Sequence, residues 1–511
     1  MDFLRDFLSD KMNKDKKSET HLSDFIDAVK AFPERNAFVI NEVPYTYQDL
    51  WKKISIIRSA LNRINVNNKI FGLVVHDDIE TYASVFALWL EGFAYVPLHP
   101  KHPHRRNQDI IRQSGILRVL DSNITSDYSS ANVLKTRELD EKDLREEIVH
   151  YPKNTLAYIL FTSGSTGQPK GVQITHGNLT AFINDFFKSG IKISQEDKCL
   201  QCFDLTFDVS VQSFLAPLMK GAAVYTVPHD QIKYSYVYGL LEDHNLTFGV
   251  FAPSMLRYLR PYFNELHFPS LKHCILTAEA SPVDLVEEWW KCIPNASIFN
   301  FYGPTEATIY CTYYHVPKTG IKQANGLLCI GRPFENIHAV ILDDNLAIAD
   351  ANSKGEMYIS GSQLAPGYWE NPERTAEAFK ELTVGGVAGR YYKTGDVCMI
   401  DKQGDILYYG RLDYQVKVQG YRIELGEIEF KAREIVSGKN AVAFTYCSDS
   451  GVAEIAVCLE TDEVDQNDFI EKLKASLPSY MMPTKIFQMR EFPINSSGKI
   501  DRNSIKSLLG L

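Results

Sequence analysis

The densest set of chemistry-bearing residues lies in LAYILFTSGSTGQPKGVQITHGNL, Leu156 to Leu179. An apolar run that reads as a strand feeds a loop carrying Thr162, Ser163, Gly164, Ser165, Thr166, Gly167 and Lys170. Glycines let backbone N–H groups approach phosphate oxygens, hydroxyls add donors, and the lysine supplies charge. The loop therefore reads as a phosphate cradle. It is not a Walker A loop: Pro169 replaces the second glycine, and Gly171 stands where Ser or Thr should hold magnesium. A merely flexible Gly/Ser loop would not require the strand, Thr-Ser-Gly-Ser-Thr-Gly and Pro-Lys-Gly together.

A cradle needs a rigid frame, and the flanking sequence supplies one. Strand-like runs, Ile70 to Val75, Phe93 to Leu98, Ala222 to Val227 and Phe248 to Pro253, alternate with helix-like segments such as Thr81 to Gly92 and Pro282 to Ile293. That alternation predicts an α/β fold with sheets covered by helices. Near Ile400 the texture changes: DKQGDILYYGRLD reads as a hairpin ending in a charged turn, followed by a smaller α+β pattern. The expected organisation is a large α/β domain over 1–410 and a small mobile α+β domain over 411–511, with a boundary between Gly410 and Asp413. The Lys-rich first twenty residues read as a loosely held terminal helix.

Composition narrows the class. The 511 residues are 45% apolar and 23% charged, enough for about two to four domains without disulfide or metal support. A net charge of −10, from 54 Lys plus Arg and 64 Asp plus Glu, argues against nucleic acid or an anionic membrane as a general partner. No apolar run is long enough to span a bilayer, and the N-terminus lacks a signal-peptide core, so a cytoplasmic location is expected. Nine cysteines match no disulfide framework. Cys199 and Cys202 form a CxxC with no second pair, a poor zinc candidate, and the cysteines are expected to be buried, reduced thiols.

Further motifs stand in a fixed order around the cradle. They are YTYQDL (Tyr45 to Leu50), GFAYVPLHP (Gly92 to Pro100), FDVS (Phe207 to Ser210), NFYGPTEATI (Asn300 to Ile309), GEMYISG (Gly355 to Gly361), YKTGD (Tyr392 to Asp396), GRLDYQVKVQGYRIELGEIE (Gly410 to Glu429), LPSYMMP (Leu477 to Pro483) and SGKIDR (Ser497 to Arg502). Together with TSGSTGQPKG they resemble, over essentially the whole chain, the adenylate-forming superfamily: acyl-CoA synthetases, luciferases and adenylation domains of nonribosomal peptide synthetases. The fold this implies is acetyl-CoA synthetase-like.

The resemblance implies roles. Tyr302 would stack on adenine beside Gly303, with Asn300 and Thr305 in the same nucleotide motif. Glu306 would ligate Mg²⁺, a hard cation that prefers oxygen. Asp396 would take the ribose hydroxyls, and Arg411 would add a ribose or phosphate contact. Lys499 would be the catalytic lysine. The implied reaction is attack of a carboxylate on the α-phosphorus of ATP with loss of pyrophosphate, a step catalysed by positioning and electrostatics. A thiol then takes the acyl group as a thioester. Asp413 would be the hinge of a large rotation, and Gly420 would lie on the pantetheine path. Gln419 departs from the family pattern, which usually has Arg before this glycine.

Asp208 of FDVS matches the carboxylate that pairs with a substrate α-ammonium in amino-acid-activating members. A buried carboxylate needs a compensating cation. Val209, Gln212, Phe301, Ile309 and Tyr310 follow from ungapped anchors, whereas Leu276 and Ala278 depend on aligning TAEASP with the longer TAGEALxP pattern. Phe301 and Tyr310 leave little room beyond Cα, which favours glycine or alanine, D-alanine included. An Asp-Val-Gln start also resembles proline-selecting pockets. The layout resembles free-standing D-alanine–carrier protein ligases of cell-envelope modification, which load a separate phosphopantetheinylated carrier. An acyl-CoA synthetase is the remaining alternative.

Overall fold

The structure is a computed structural model that describes residues 21–64, 68–126, 128, 132–140, 144–164, 169–350, 352–449, 451–494 and 500–511. The α/β alternation becomes two large, mainly parallel sheets. One runs in the spatial order Arg332–Pro333, Thr312–His315, Ser297–Tyr302, His273–Leu276, Phe248–Phe251, Lys198–Gln201, Ala223–Thr226, Asn36–Ile40 and Val43–Thr46. The other runs Asn132–Lys135, Arg118–Asp121, Ile70–Val74, Ala94–Leu98, Leu156–Thr162 and Lys170–Thr175. The expected strand Phe248 to Pro253 stops at Phe251, because Pro253 opens the helix Pro253–Leu259, a position where its missing N–H costs nothing.

Two helices join the sheets. Ile79–Leu90 is buried along nearly its whole length, and Val209–Leu218 is buried throughout. A helix apolar on every side belongs between layers rather than on a surface. The ring of Phe214 meets Phe86 at 5.9 Å and Trp89 at 6.2 Å, and Trp89 Nε1 donates to Ala157 O at 2.9 Å. YTYQDL is a capping box: the Thr46 hydroxyl accepts from Asp49 N, the Asp49 carboxylate accepts from Thr46 N, and Tyr47–Arg63 follows.

A third, antiparallel sheet of five strands ends with Ile406–Arg411 against Val387–Ile400, and this register sets Arg411 opposite Asp396. Beyond it come the hairpin Gln415–Val418 with Tyr421–Glu424 and a three-stranded sheet, Ala441–Cys447, Ala453–Glu460 and Lys485–Met489. These residues build a hydrophobic cluster of their own around Ile423, Ile428, Val457, Phe469 and Leu473. Among the described residues no helix is long and apolar enough to cross a membrane. All nine cysteines are free; eight are buried, but Cys447, expected to be buried, is exposed at a strand end.

The loop after Ser297–Tyr302 is strained. Thr308 and Ile309 have φ of 57° and 71°, left-handed values that are outliers for β-branched residues. Gln363, fully buried, holds them there: its Nε2 donates to Ala307 O at 3.1 Å and Tyr310 O at 2.7 Å, while Thr308 Oγ1 donates to Gln363 O at 2.6 Å. Gln363→Ala should therefore strand buried carbonyls and cost about 1–3 kcal/mol of stability. Denaturant titration of the full chain checks this; an unchanged midpoint would mean the loop holds without its clamp.

Candidate active site

The loop read from sequence as a phosphate cradle connects Leu156–Thr162 and Lys170–Thr175, whose register pairs Thr162 with Lys170. Thr162 Oγ1 donates to Lys170 O at 3.5 Å. Lys170 Nζ lies 3.2 Å from Glu306 Oε1 and 3.2 Å from the Tyr368 hydroxyl. Glu306 sits on the turn Thr305–Ala307 and is fully buried. The Tyr368 hydroxyl donates to its Oε1 at 2.8 Å and Arg422 Nη1 donates to its Oε2 at 2.7 Å. Burial opposes ionisation of Glu306, but Arg422, Lys170 and the Tyr368 hydroxyl outweigh it and hold the carboxyl well below the usual range. Burial in turn lowers Lys170, against the pull of Glu306. Ser165, Thr166, Gly167 and Lys499 lie outside the described residues.

The hairpin Gln415–Val418 with Tyr421–Glu424 covers this loop. Ser163 Oγ donates to Arg422 O at 3.1 Å and accepts from Glu424 N at 3.0 Å, and Gly164 N donates to Glu427 Oε2 at 3.4 Å. Its tip, Gln419 and Gly420, has φ of 51° and 81°, the pair of positive values a type I′ turn needs. The register sets Lys417 directly opposite Arg422. Two cations side by side on one face repel unless anions meet them. Arg422 meets Glu306, and Lys417 Nζ stands over the Tyr302 ring at 5.5 Å. Burial, with Arg422 and Arg411 nearby, lowers Lys417 against the pull of Asp396.

Around Tyr302 the residues expected to meet the nucleotide divide into two sets. The Tyr302 hydroxyl donates to Asp396 Oδ2, and Arg411 Nη1 donates to Asp396 Oδ1 at 2.9 Å. Arg411 Nε also donates to Asp413 Oδ1 at 2.7 Å. Asn300, by contrast, spends its amide within the fold, accepting from Ser281 Oγ at 3.0 Å and donating to Cys329 O at 2.9 Å. Gly303 is needed for packing: a Cβ there would sit 2.5 Å from Ile309 O.

Asp208 precedes the helix Val209–Leu218 without capping it, and Thr305 hydrogen-bonds its side chain. Its Oδ2 is buried with no hydrogen-bond partner among the described residues. Burial first, then Glu306, pushes Asp208 up to about 6, against Thr305 and Arg422. Gln212 is fully buried; its Oε1 accepts from the Tyr310 hydroxyl at 3.4 Å, while Nε2 has no partner among the described residues. The Phe301 and Tyr310 rings lie 5.1 Å apart, and Phe301 also meets Phe186 at 5.8 Å and Phe334 at 5.9 Å. Val209, Leu276 and Ile309 are buried, and Ala278 has φ of 67°.

Gly420 lines a cavity of about 310 Å³ with Phe203, Phe207, Lys233, Ser254 and Tyr421. Gly420 N donates to Glu279, which also accepts from Ser254 N at 2.9 Å and Ser254 Oγ at 2.7 Å. Arg422, Lys417, Tyr368 and Glu279 were not among the residues expected from sequence. For two of them a signal existed: strand alternation across the Gln419-Gly420 turn puts Lys417 and Arg422 on one face.

Residues 25–369 match the family described as AMP-binding enzyme. The chain is 32% identical over 502 residues to zwittermicin A synthase ZmaJ of Bacillus cereus, covering 95% of this chain and 94% of that protein. It is also 30% identical over 496 residues to tyrocidine synthase 1 of Brevibacillus parabrevis, where the match covers 94% of this chain but spans only 44% of that synthase. Among solved structures, the Vibrio cholerae adenylation domain AlmE in complex with glycyl-adenosine-5′-phosphate shares the fold at a TM-score of 0.85 and 23% identity, covering 98% of this chain and 99% of that one. The expected acetyl-CoA synthetase-like fold is thus met. By a family match over more than half its length and a relative matched nearly end to end, the chain belongs to the AMP-binding family of adenylate-forming enzymes.

Proposed function

We propose that the enzyme activates a small amino acid, glycine or alanine with D-alanine included, as its adenylate, and passes the acyl group to the phosphopantetheine thiol of a separate carrier protein. The observation that carries this reading is the unpartnered, buried Asp208 Oδ2. A carboxylate raised by burial is an unmet demand for a cation, and a substrate ammonium answers it. The aromatic pair Phe301 and Tyr310 argues for a short side chain. AlmE, solved with a glycyl adenylate, supports the same size class.

In the first half-reaction the substrate carboxylate attacks the α-phosphorus of ATP and pyrophosphate leaves. Lys170 would neutralise charge on the phosphates, Tyr302 and Asp396 would hold adenosine, and Lys499 would approach from the C-terminal residues. Glu306, ionised and oxygen-bearing, fits Mg²⁺, which binds through few carboxylates plus substrate phosphates; the ion would supply charge neutralisation. Arg422 now occupies that carboxylate, so the hairpin must withdraw for this step. In the second half-reaction the thiol would enter past Gly420. We assign the exchange to rotation of residues 411–511 about Asp413.

Asp208→Asn should abolish amino-acid-dependent pyrophosphate exchange while ATP binding persists. The raised carboxyl gives a sign for pH: kcat/KM for the amino acid should fall as pH drops below about 6, where Asp208 protonates. The same shift makes ionised Asp208 a stability cost that is absent at low pH and grows as pH rises through about 6. Asp208→Asn should therefore stabilise the protein at pH 7 by roughly 1–3 kcal/mol. An inactive but less stable variant would contradict this account, and full exchange activity would end the ammonium reading.

Substrate range and the two faces are checked separately. Phe301→Leu should admit larger side chains, shifting preference by about 10–200-fold per methylene accommodated; a screen of amino acids including D-alanine and proline reads this. Lys499→Ala should lose adenylate formation yet still transfer a pre-formed adenylate to carrier thiol, whereas Gly420→Ala should impair transfer. Equal damage to both half-reactions in both variants would contradict the rotation.

A further inference from the structure

A second cluster of ligand-type side chains lies away from the phosphate loop. The strand Ala94–Leu98 ends in His99-Pro100-Lys101-His102, where His102 N donates to His99 O at 3.2 Å and Pro100 takes the turn position it favours. The turn is fastened from behind by Asn107 Nδ2, which donates to His99 O at 2.8 Å. It brings the two imidazoles face to face, 4.4 Å apart at 28°. His99 Nε2 lies 3.0 Å from Asp204 Oδ2, and Asp204 is itself fixed by Thr206 N and Oγ1, each at 2.8 Å to Oδ1. No hydrogen bond of the His102 ring is found among the described residues. One ligand atom from each of His99, His102 and Asp204 lies within 4.8 Å of the others.

We propose that His99, His102 and Asp204 bind one divalent transition-metal ion of the zinc type, at the joint between the large sheets and the C-terminal residues. Two imidazole nitrogens and one carboxylate oxygen are a donor set for a borderline metal rather than for Mg²⁺. The adjoining cavity of about 160 Å³, also lined by Asp77, His229 and Tyr480, leaves room for water as a further ligand.

Loading has a definite cost. Tetrahedral zinc with bonds of ~2.0–2.1 Å holds its donors roughly 3.4 Å apart, so the His99–Asp204 pair, at 3.0 Å, must open slightly while separations reaching up to 4.8 Å close. His99 now accepts from Lys101 N at Nδ1, at 3.1 Å, and so carries its proton on Nε2. Ligation through Nε2 moves that proton to Nδ1, which gives up both the Lys101 amide bond and the direct bond to Asp204. The position of the site decides its role. The Tyr480 ring meets His102 edge-on at 5.9 Å and stacks on Tyr421 at 4.1 Å and 2°. An ion here would set the turn against which the C-terminal residues rest, making the role positional and not catalytic.

The test uses the metal-stripped full chain, titrated with Zn²⁺ in excess Mg²⁺ and followed by equilibrium dialysis, with Co²⁺ substituted for the visible spectrum of a tetrahedral centre. One equivalent should bind, with at least a tenfold loss of affinity in His102→Gln, whose partly exposed ring can be removed without breaking a hydrogen bond. His99→Gln should show the same loss, and Glu306→Gln should bind normally. Binding that survives the double histidine variant, binding that disappears with Glu306→Gln, or no bound equivalent at all would each overturn the site.

Discussion

One buried charge organises the centre of the molecule. Glu306 has no exposed surface, yet it is ionised, because Lys170, Arg422 and the Tyr368 hydroxyl converge on it. Taking a carboxylate out of water costs several kcal/mol unless the compensation is close and complete. The three donors come from three separate parts of the fold: the strand after the phosphate loop, the segment before the five-stranded sheet's edge strand, and the C-terminal hairpin. Their mutual position is thereby tied to a single side chain. Removing any one leaves a buried charge short of a partner.

The hairpin is shaped to bring two cations to this centre. A type I′ turn keeps its two strands in tight register and so commits Lys417 and Arg422 to one face. On its own that face is self-repelling. Against Glu306 and Asp396 it is complementary, and Tyr421 adds an edge-on ring contact with Phe207 at 5.0 Å. The hydrophobic cluster around Ile423, Ile428 and Phe469 stays within the C-terminal residues and is not spent on the contact.

How far this was legible in the sequence follows from the range of each signal. Strand and helix alternation is a local pattern, and it was readable to within a residue or two. YTYQDL was recognisable as a motif, but its physics, a capping box, needed the backbone. Asn300 belongs to the nucleotide motif in sequence, yet its amide is committed to Ser281 and Cys329, contacts set by neighbouring strands and loops. Alternation sets Arg422 beside Lys417, but the partners that give Arg422 and Glu279 their roles, Glu306 and Gly420, are 116 and 141 residues away. Pairings over such separations carry no periodicity to read. The exposure of Cys447 was missed for a plainer reason: a strand end looks the same in sequence whichever way its last residue faces.

That last residue gives the molecule an asymmetry of a practical kind. The eight buried thiols are shielded from reagents in solution, and burial raises most of them out of the reactive range, Cys202 and Cys274 to about 12 among them. Cys447 alone is open, and it belongs to the small C-terminal sheet. A maleimide dye added to the unaltered protein would thus mark that sheet and little else. The natural sequence already carries a single attachment point from which fluorescence could test the rotation proposed above.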